Sequence, residues 1–125
     1  MAPGLVTPEK AARGKTPTDT WWHTIVSPNG REKTGYPTQK PLGILRRILQ
    51  ASSRPADVVL DFFAGSGTTG VAAHQLGRTF ILIDSSEDAL QVMASRFNDV
   101  ADVRYVGYQP ESLQIESPLE MSRVT

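Results

Sequence analysis

The hydrophobic and polar positions divide the chain into a patternless start, a central block of alternating elements and a weak end. Residues 1–20 are rich in Pro, Gly, Thr and charge with little periodicity, which predicts a flexible arm. Trp21 and Trp22 break this pattern and predict a short extended segment with at least one buried indole. From Pro110 onward the pattern disappears, so residues 109–125 are predicted to form a disordered tail.

Residues 21–108 carry the pattern of a single α/β domain. Apolar runs without alternation are typical of strands buried on both faces, and apolar residues at every third or fourth position are typical of helices. The β-α-β-α-β order predicts a parallel sheet of about three strands with flanking helices. The predicted elements are a helix from Pro41 to about Ser52, a strand at Val58–Phe62, a helix from Thr68 or Thr69 to Leu76, a strand at Thr79–Asp84, a helix capped by Ser85 or Ser86 with Ala89, Leu90, Met93 and Phe97 facing inward, and a weaker strand at Val103–Gly107.

Composition narrows the chemistry that the chain can support. Its 125 residues, 39% of them hydrophobic, suffice for one domain with a core. The absence of cysteine excludes disulfides, thiolate metal sites and a cysteine nucleophile, and His23 and His74 are too few for a histidine-rich metal site. No apolar run approaches the roughly 18 residues of a membrane span and no signal peptide is evident, so a soluble cytoplasmic protein is the default expectation.

Charge is distributed unevenly although the formal net charge is zero. Up to Pro55 there are nine Lys and Arg against three Asp and Glu, a net charge of +6, which leaves −6 for the remainder. Such asymmetry is compatible with an N-terminal part that faces nucleic acid, although charge alone favours a solvated basic segment.

The first predicted strand runs into a glycine-rich turn with the spacing G-x-G-x-x-G, at Gly65, Gly67 and Gly70. Glycines after a strand allow close approach of the backbone to a ligand, and the following helix offers free N–H groups. Asp84, 19 positions after Gly65, matches the ribose-binding acid of dinucleotide sites. The turn by itself therefore fits a nicotinamide dinucleotide.

Asp61 argues against a pyrophosphate ligand. A carboxylate at the mouth of the first strand would repel a pyrophosphate by a few kcal/mol at about 4 Å and would attract a cation. A ligand with an ammonium group at one end and a ribose at the other satisfies Asp61 and Asp84 together. S-adenosylmethionine (SAM) is such a ligand.

These motifs resemble those of the amino-methylating DNA methyltransferases with permuted motif order, which act on adenine N6 or cytosine N4. Residues 61–69, DFFAGSGTT, resemble the cofactor motif D-x-F-x-G-S-G-T-T, and residues 34–41, TGYPTQKP, resemble the H-P-T-Q-K-P motif that precedes it. Ile83-Asp84 resembles the acidic end of the second strand. The resemblance runs from about Trp21 to about Phe97 and implies a partial Rossmann-like methyltransferase fold.

The resemblance also implies roles for individual residues. Asp61 is expected to meet the methionine amino group and Asp84 the adenosine, while Lys40 can neutralise the methionine carboxylate as a point charge. Phe62 or Phe63 is expected either to flank the adenine or to belong to the core. The implied cofactor site consists of Thr38, Lys40, Asp61, Phe62, Phe63, Gly65, Ser66, Gly67, Thr68 and Asp84.

One family motif has no counterpart in this sequence. Methyl transfer in the family uses [DNS]-P-P-[YFW], which holds the flipped base, and this chain has no Pro-Pro pair. The expectation is therefore the SAM-binding half of a site-specific DNA methyltransferase, inactive alone, that meets DNA through the complete enzyme. An exposed sheet edge is expected to pair with the missing catalytic half or with a second copy. The alternatives are a non-catalytic remnant and a nicotinamide-dependent dehydrogenase.

Overall fold

The computed structural model describes residues 7–15 and 18–110, and the predicted tail from residue 111 onward lies outside them. The order of the central helices and strands agrees with the sequence-based prediction, which confirms a partial, Rossmann-like α/β fold. The elements are α1 (Pro8–Arg13), α2 (Leu42–Ser52), β1 (Val58–Asp61), α3 (Thr68–Gln75), β2 (Thr79–Leu82) and α4 (Glu87–Arg96).

Helix α1 was not predicted, because it lies in the segment read as an arm without periodicity. It is stabilised locally: the Thr7 hydroxyl accepts a hydrogen bond from the Lys10 N–H, and Pro8 occupies the first turn. None of its residues is buried. A helix without a packed face leaves no apolar stripe in the sequence.

Strands β1 and β2 form a parallel pair with Val58 opposite Thr79 and Asp61 opposite Leu82. Pairing continues beyond β2, because the Ile83 N–H donates to the Asp61 carbonyl (2.8 Å) and the Ala64 N–H donates to the Ile83 carbonyl (3.1 Å). The carboxyl ends of both strands therefore lie side by side.

One face of the sheet is covered by helices. Val59 on β1 packs with Leu49 of α2 and with Ala72 and Ala73 of α3, whose small side chains are fully buried. A second cluster joins α4 to β2: the Phe80 and Phe97 rings stack with centroids 4.9 Å apart. Its buried members are Ala64, Ala89, Met93 and Phe97, and the half-buried Leu90 packs against them, which confirms the inward stripe predicted for α4.

The opposite face of the sheet is bare among the described residues. Val58 and Leu60 on β1 are 62% and 48% exposed, and Ile81 and Ile83 are 49% and 46% exposed. Since alternate side chains of a strand point to opposite faces, these residues form one apolar surface. The prediction of strands buried on both faces is therefore wrong for this chain as described.

Two further predictions fail. Residues 103–107 form no strand: Val103 packs against the second cluster, but Val106 is 88% exposed, so this segment buries little apolar surface that could hold it against the sheet. The predicted buried indole is also absent. Trp22 is 97% exposed, and Trp21 lies under the Arg47 guanidinium, 4.9 Å from its ring centroid, in a cation–π contact at the surface.

Arg78 fastens the carboxyl ends of α2 and α3 to each other. Its guanidinium donates to the Leu76 carbonyl (2.6 Å), the Ser53 carbonyl (2.7 Å) and the Ser53 hydroxyl (3.2 Å). Carbonyl groups at helix ends lack partners within the helix, so a basic side chain stabilises them. This contact lies at the end of α3 opposite to the glycine-rich turn.

Candidate cofactor site

The site begins where β1 ends. Asp61 is the last residue of β1, and its two carboxylate oxygens hold the residues that follow it. Oδ1 accepts from the Phe63 N–H (3.0 Å) and Oδ2 accepts from the Thr69 hydroxyl (2.6 Å). The carboxylate thus connects the two ends of residues 62–68, which are named here the glycine turn. These hydrogen bonds also fix the orientation of the carboxylate at the carboxyl end of β1.

Asp84, two residues after β2, holds the same turn from the other side. Its Oδ2 accepts from the Gly65 N–H (2.8 Å) and its Oδ1 accepts from the Ser86 N–H (3.0 Å) at the start of α4. Each carboxylate oxygen has a second lone pair, so both acids can still accept hydrogen bonds from a ligand. The structure brings Asp61 and Asp84 together around one turn, as expected from adjacent parallel strands.

Two glycines of the G-x-G-x-x-G motif, Gly67 within the turn and Gly70 just after it, lie where an added Cβ atom would crowd neighbouring side chains. A Cβ atom at Gly67, whose φ is +72°, would lie 2.7 Å from Met93 Cγ. At Gly70 it would lie 2.6 Å from Leu82 Cδ1 and 2.8 Å from Phe97 Cζ. The last two glycines therefore let the turn and α3 approach β2 and α4, a role that the sequence-based interpretation did not assign to them.

Ser66 and Thr68 face inward. They are 3% and 4% exposed, and their hydroxyl oxygens lie 3.1 Å apart. Arg96, in the last turn of α4, donates from Nη1 to the Ser66 carbonyl (2.7 Å), to Thr68 Oγ1 (3.1 Å) and to Ser66 Oγ (3.4 Å). Burial lowers the pKa of Arg96, and the negative charge of Glu32 acts in the opposite direction.

Phe62 and Phe63 lie at the open side of the glycine turn. They are 59% and 91% exposed, so neither belongs to the core. Of the two predicted roles, the core role is excluded for the chain as described. Exposed aromatic rings beside a strand mouth are available for stacking with a ligand.

The second predicted motif forms the TQKP loop, residues 32–41. Gln39 organises it: its Oε1 accepts from the Thr34 N–H (2.8 Å) and hydroxyl (2.9 Å), and its Nε2 donates to the Glu32 carbonyl (2.6 Å). The Glu32 carboxylate accepts from the Leu42 N–H (3.3 Å) and so anchors the loop to the start of α2. The amide of Gln39 thus makes three hydrogen bonds within the loop.

A cleft of about 480 Å³ lies along this loop. Thr38 and Lys40 line it, and within the described part of the chain the Lys40 ammonium makes only a long hydrogen bond to the Thr38 carbonyl (3.4 Å). Asp61, Asp84 and the glycine turn do not line this cleft. The two halves of the predicted site meet through Tyr36, which lines the cleft and whose Cε1 would lie 3.2 Å from a Cβ atom at Gly65.

Three residues important for this arrangement were not assigned roles from the sequence: Tyr36, Gln39 and Arg96. Tyr36 and Gln39 belong to the recognised motif at residues 34–41, so the sequence marked these positions as important. It did not indicate which groups they contact. Arg96 gave no signal, because an arginine in the last turn of an amphipathic helix is ordinarily explained by the helix dipole.

Within residues 7–15 and 18–110, no cluster of His, Cys, Asp and Glu is suited to hold a metal ion. No helix in this part of the chain has the length and apolar character needed to cross a membrane.

Comparison with known proteins identifies the class. Residues 6–95 match the family of N6/N4 DNA methylases, and the chain belongs to that family. The type II methyltransferase M2.LlaDCHI of Lactococcus lactis subsp. cremoris is 45% identical over 85 residues, which are 68% of this chain and 32% of the relative. M2.DpnII of Streptococcus pneumoniae is 42% identical over 83 residues, 66% of this chain and 31% of the relative.

A solved structure shares the fold. The crystal structure of the M1.HpyAVI–SAM complex superimposes with a TM-score of 0.55 at 40% identity, covering 67% of this chain and 43% of that chain. The chain thus spans about a third of the length of the two curated relatives and less than half of the solved chain.

Proposed function

We propose that this chain is the SAM-binding part of a site-specific DNA methyltransferase that methylates an exocyclic amine, adenine N6 or cytosine N4. The observation that carries the proposal is the pair of carboxylates, Asp61 and Asp84, fixed on either side of one glycine turn at adjacent strand ends. Family membership and the likeness to a SAM complex support it.

The chemistry of the available groups fits SAM. Asp61 and Asp84 are acceptors at the strand mouth, suited to an ammonium group and to ribose hydroxyls. Lys40 offers a positive charge for a carboxylate, Thr38 lines the cleft beside it, and Phe62 or Phe63 offers a ring for the adenine. Bound SAM would supply an electrophilic methyl group, and the residues of this chain would hold and orient it.

Ser66 and Thr68 have a different role in the proposed site from Asp61 and Asp84, because their side chains do not face the ligand. Since both hydroxyls belong to buried residues and accept hydrogen bonds from Arg96, these side chains act inside the protein. Together with Gly65 and Gly67, they would contribute the backbone of the turn to the ligand. Their hydroxyls would set the shape of that backbone.

Calorimetric titration of the chain with SAM and with NAD tests this assignment. We expect SAM to bind and the isosteric Asp61→Asn substitution to weaken binding about tenfold or more, since it removes the charge that attracts the ammonium group. Asp57 lies immediately before the same strand, and its carboxylate accepts a hydrogen bond from the Arg54 N–H (2.8 Å). Asp57→Asn is therefore the matched control and should leave SAM affinity unchanged. NAD binding without any response to SAM would favour the dehydrogenase alternative.

The acceptor side of the reaction belongs to a part of the enzyme beyond this chain. The sequence has no Pro-Pro-aromatic motif, and we expect the chain alone to transfer no methyl groups to DNA. The bare apolar face formed by Val58, Leu60, Ile81 and Ile83 is where we expect a complementary catalytic part to pack, because apolar surface of this kind is stabilised by burial. DNA would then be bound by the complete enzyme.

Mixing the chain with the part of M2.LlaDCHI outside the matched region tests this second point. Restored methyl transfer to DNA would support the methyltransferase half, whereas SAM binding with no transfer would favour the non-catalytic remnant. Sedimentation of the chain alone gives an independent readout: a stable monomer at micromolar concentration would argue against a face that needs a partner, and self-association would identify a second copy as its occupant.

A further inference from the structure

Arg96 is the one cation of the described chain whose hydrogen bonds end on the glycine turn. It reaches from α4 over 30 positions of sequence, and a single nitrogen, Nη1, lies within hydrogen-bond distance of the Ser66 carbonyl and of two buried hydroxyls. Hydrogen bonds from a charged donor are stronger than those between neutral groups, and burial strengthens them further. The bond to the carbonyl, at 2.7 Å, is the shortest of the three.

The Ser66 carbonyl has a particular place in the turn. It belongs to the peptide unit that joins Ser66 to Gly67, and Gly67 adopts a left-handed conformation with φ +72°. The Gly67 N–H on the other side of that unit donates to the Ala64 carbonyl (2.8 Å). Both ends of the peptide are therefore fixed, one by Arg96 and the other by the backbone.

We propose that Arg96 is a positioning residue for the methyl-donor site: it locks the Ser66–Gly67 peptide, and with it the backbone groups that the turn presents between Asp61 and Asp84. The inference rests on the proposed function for its ligand and on the turn geometry for its mechanism. Without the guanidinium, this peptide plane can rotate, because a glycine tolerates both orientations. Arg96 would then affect SAM affinity without touching SAM.

Arg78 provides the matched control for this idea. It is also half-buried and also makes three hydrogen bonds to backbone and hydroxyl oxygens, but it fastens the opposite end of α3. Arg96→Met and Arg78→Met each remove a guanidinium and keep an aliphatic stem. Both are expected to destabilise the fold, and only Arg96→Met is expected to disturb the turn.

The test uses two readouts on the 125-residue chain at a temperature where both variants are folded. In the free chain, hydrogen exchange of the Gly67 amide should accelerate in Arg96→Met and stay unchanged, relative to global stability, in Arg78→Met. In calorimetry, Arg96→Met should bind SAM about tenfold more weakly, Arg78→Met should bind normally, and Arg96→Lys should recover part of the loss because it keeps the charge.

The outcomes separate the two proposals. If the wild-type chain does not bind SAM but its Gly67 amide loses protection in Arg96→Met alone, the proposed function is wrong and the locking role of Arg96 stands. If Gly67 exchange is the same in Arg96→Met and Arg78→Met, or both variants lose SAM affinity in proportion to their stability, Arg96 is merely structural and the inference is overturned.

Discussion

The glycine turn and the TQKP loop carry the two recognised motifs, and they are built in opposite ways. The turn is held by residues outside it. Asp61 lies at the end of β1, Asp84 lies two residues after β2, and Arg96 lies on α4. The loop is held mainly from within, by the amide of Gln39, and it borders an open cleft. A change in the turn should therefore disturb the whole fold, whereas a change in the loop should remain local.

The largest expected effect comes from filling the space behind the turn. Gly67→Ala meets Met93 Cγ at 2.7 Å and has an unfavourable φ of +72°, while Gly77→Ala has a similar φ of +71° and no atom within 4 Å. The strain of a left-handed residue costs about 1–2 kcal/mol, and overpacking adds about 1–3 kcal/mol. Urea unfolding should show the greater loss for Gly67→Ala. Equal losses would mean that Met93 moves aside and that the turn is not tightly packed.

An intermediate effect is expected when the TQKP loop loses the hydrogen bonds of the Gln39 amide. Gln39→Ala removes the acceptor for Thr34 and the donor to the Glu32 carbonyl, which should cost about 1–2 kcal/mol and weaken SAM binding. Gln50→Ala on the exposed side of α2 is the control and should change stability by less than about 0.5 kcal/mol. Amide exchange should rise at Thr34 and not at Gly67. Increased exchange at Gly67 would show that the two regions are coupled through Tyr36.

The smallest effect is expected at the cleft surface. Lys40→Gln removes an exposed charge, and exposed ion pairs are worth at most about 1 kcal/mol, so SAM affinity should fall up to about fivefold with unchanged stability. Lys33→Gln removes a second lysine that lines the same cleft. If Lys40 meets the SAM carboxylate directly, calorimetry will show a loss only for Lys40→Gln. Equal losses would indicate a general electrostatic contribution from the loop.

The sequence predicted local structure well wherever a residue acts on its own neighbours. Ser86 caps α4 through the Ala89 N–H (3.4 Å), α2 ends at Ser52 as expected, and Asp61 and Asp84 lie at adjacent strand ends. It failed where burial depends on what packs nearby. Val58 and Leu60 were predicted to be buried and are exposed, and Val103–Gly107 was predicted to be a strand and forms none. An apolar pattern does not show whether another element is present to cover it.

The sequence by itself determined the family, the α/β order of elements and the two motifs from which a cofactor site is predicted, since these depend on residue type and spacing along the chain. Only the tertiary structure decided how the motifs are held. It showed that a Cβ atom at Gly67 or Gly70 would crowd the side chains of Met93, Leu82 and Phe97. It also showed that the hydroxyls of Ser66 and Thr68 accept hydrogen bonds from Arg96. Such contacts join residues that are 12 to 30 positions apart in the sequence, and no local pattern in the sequence records which of them meet.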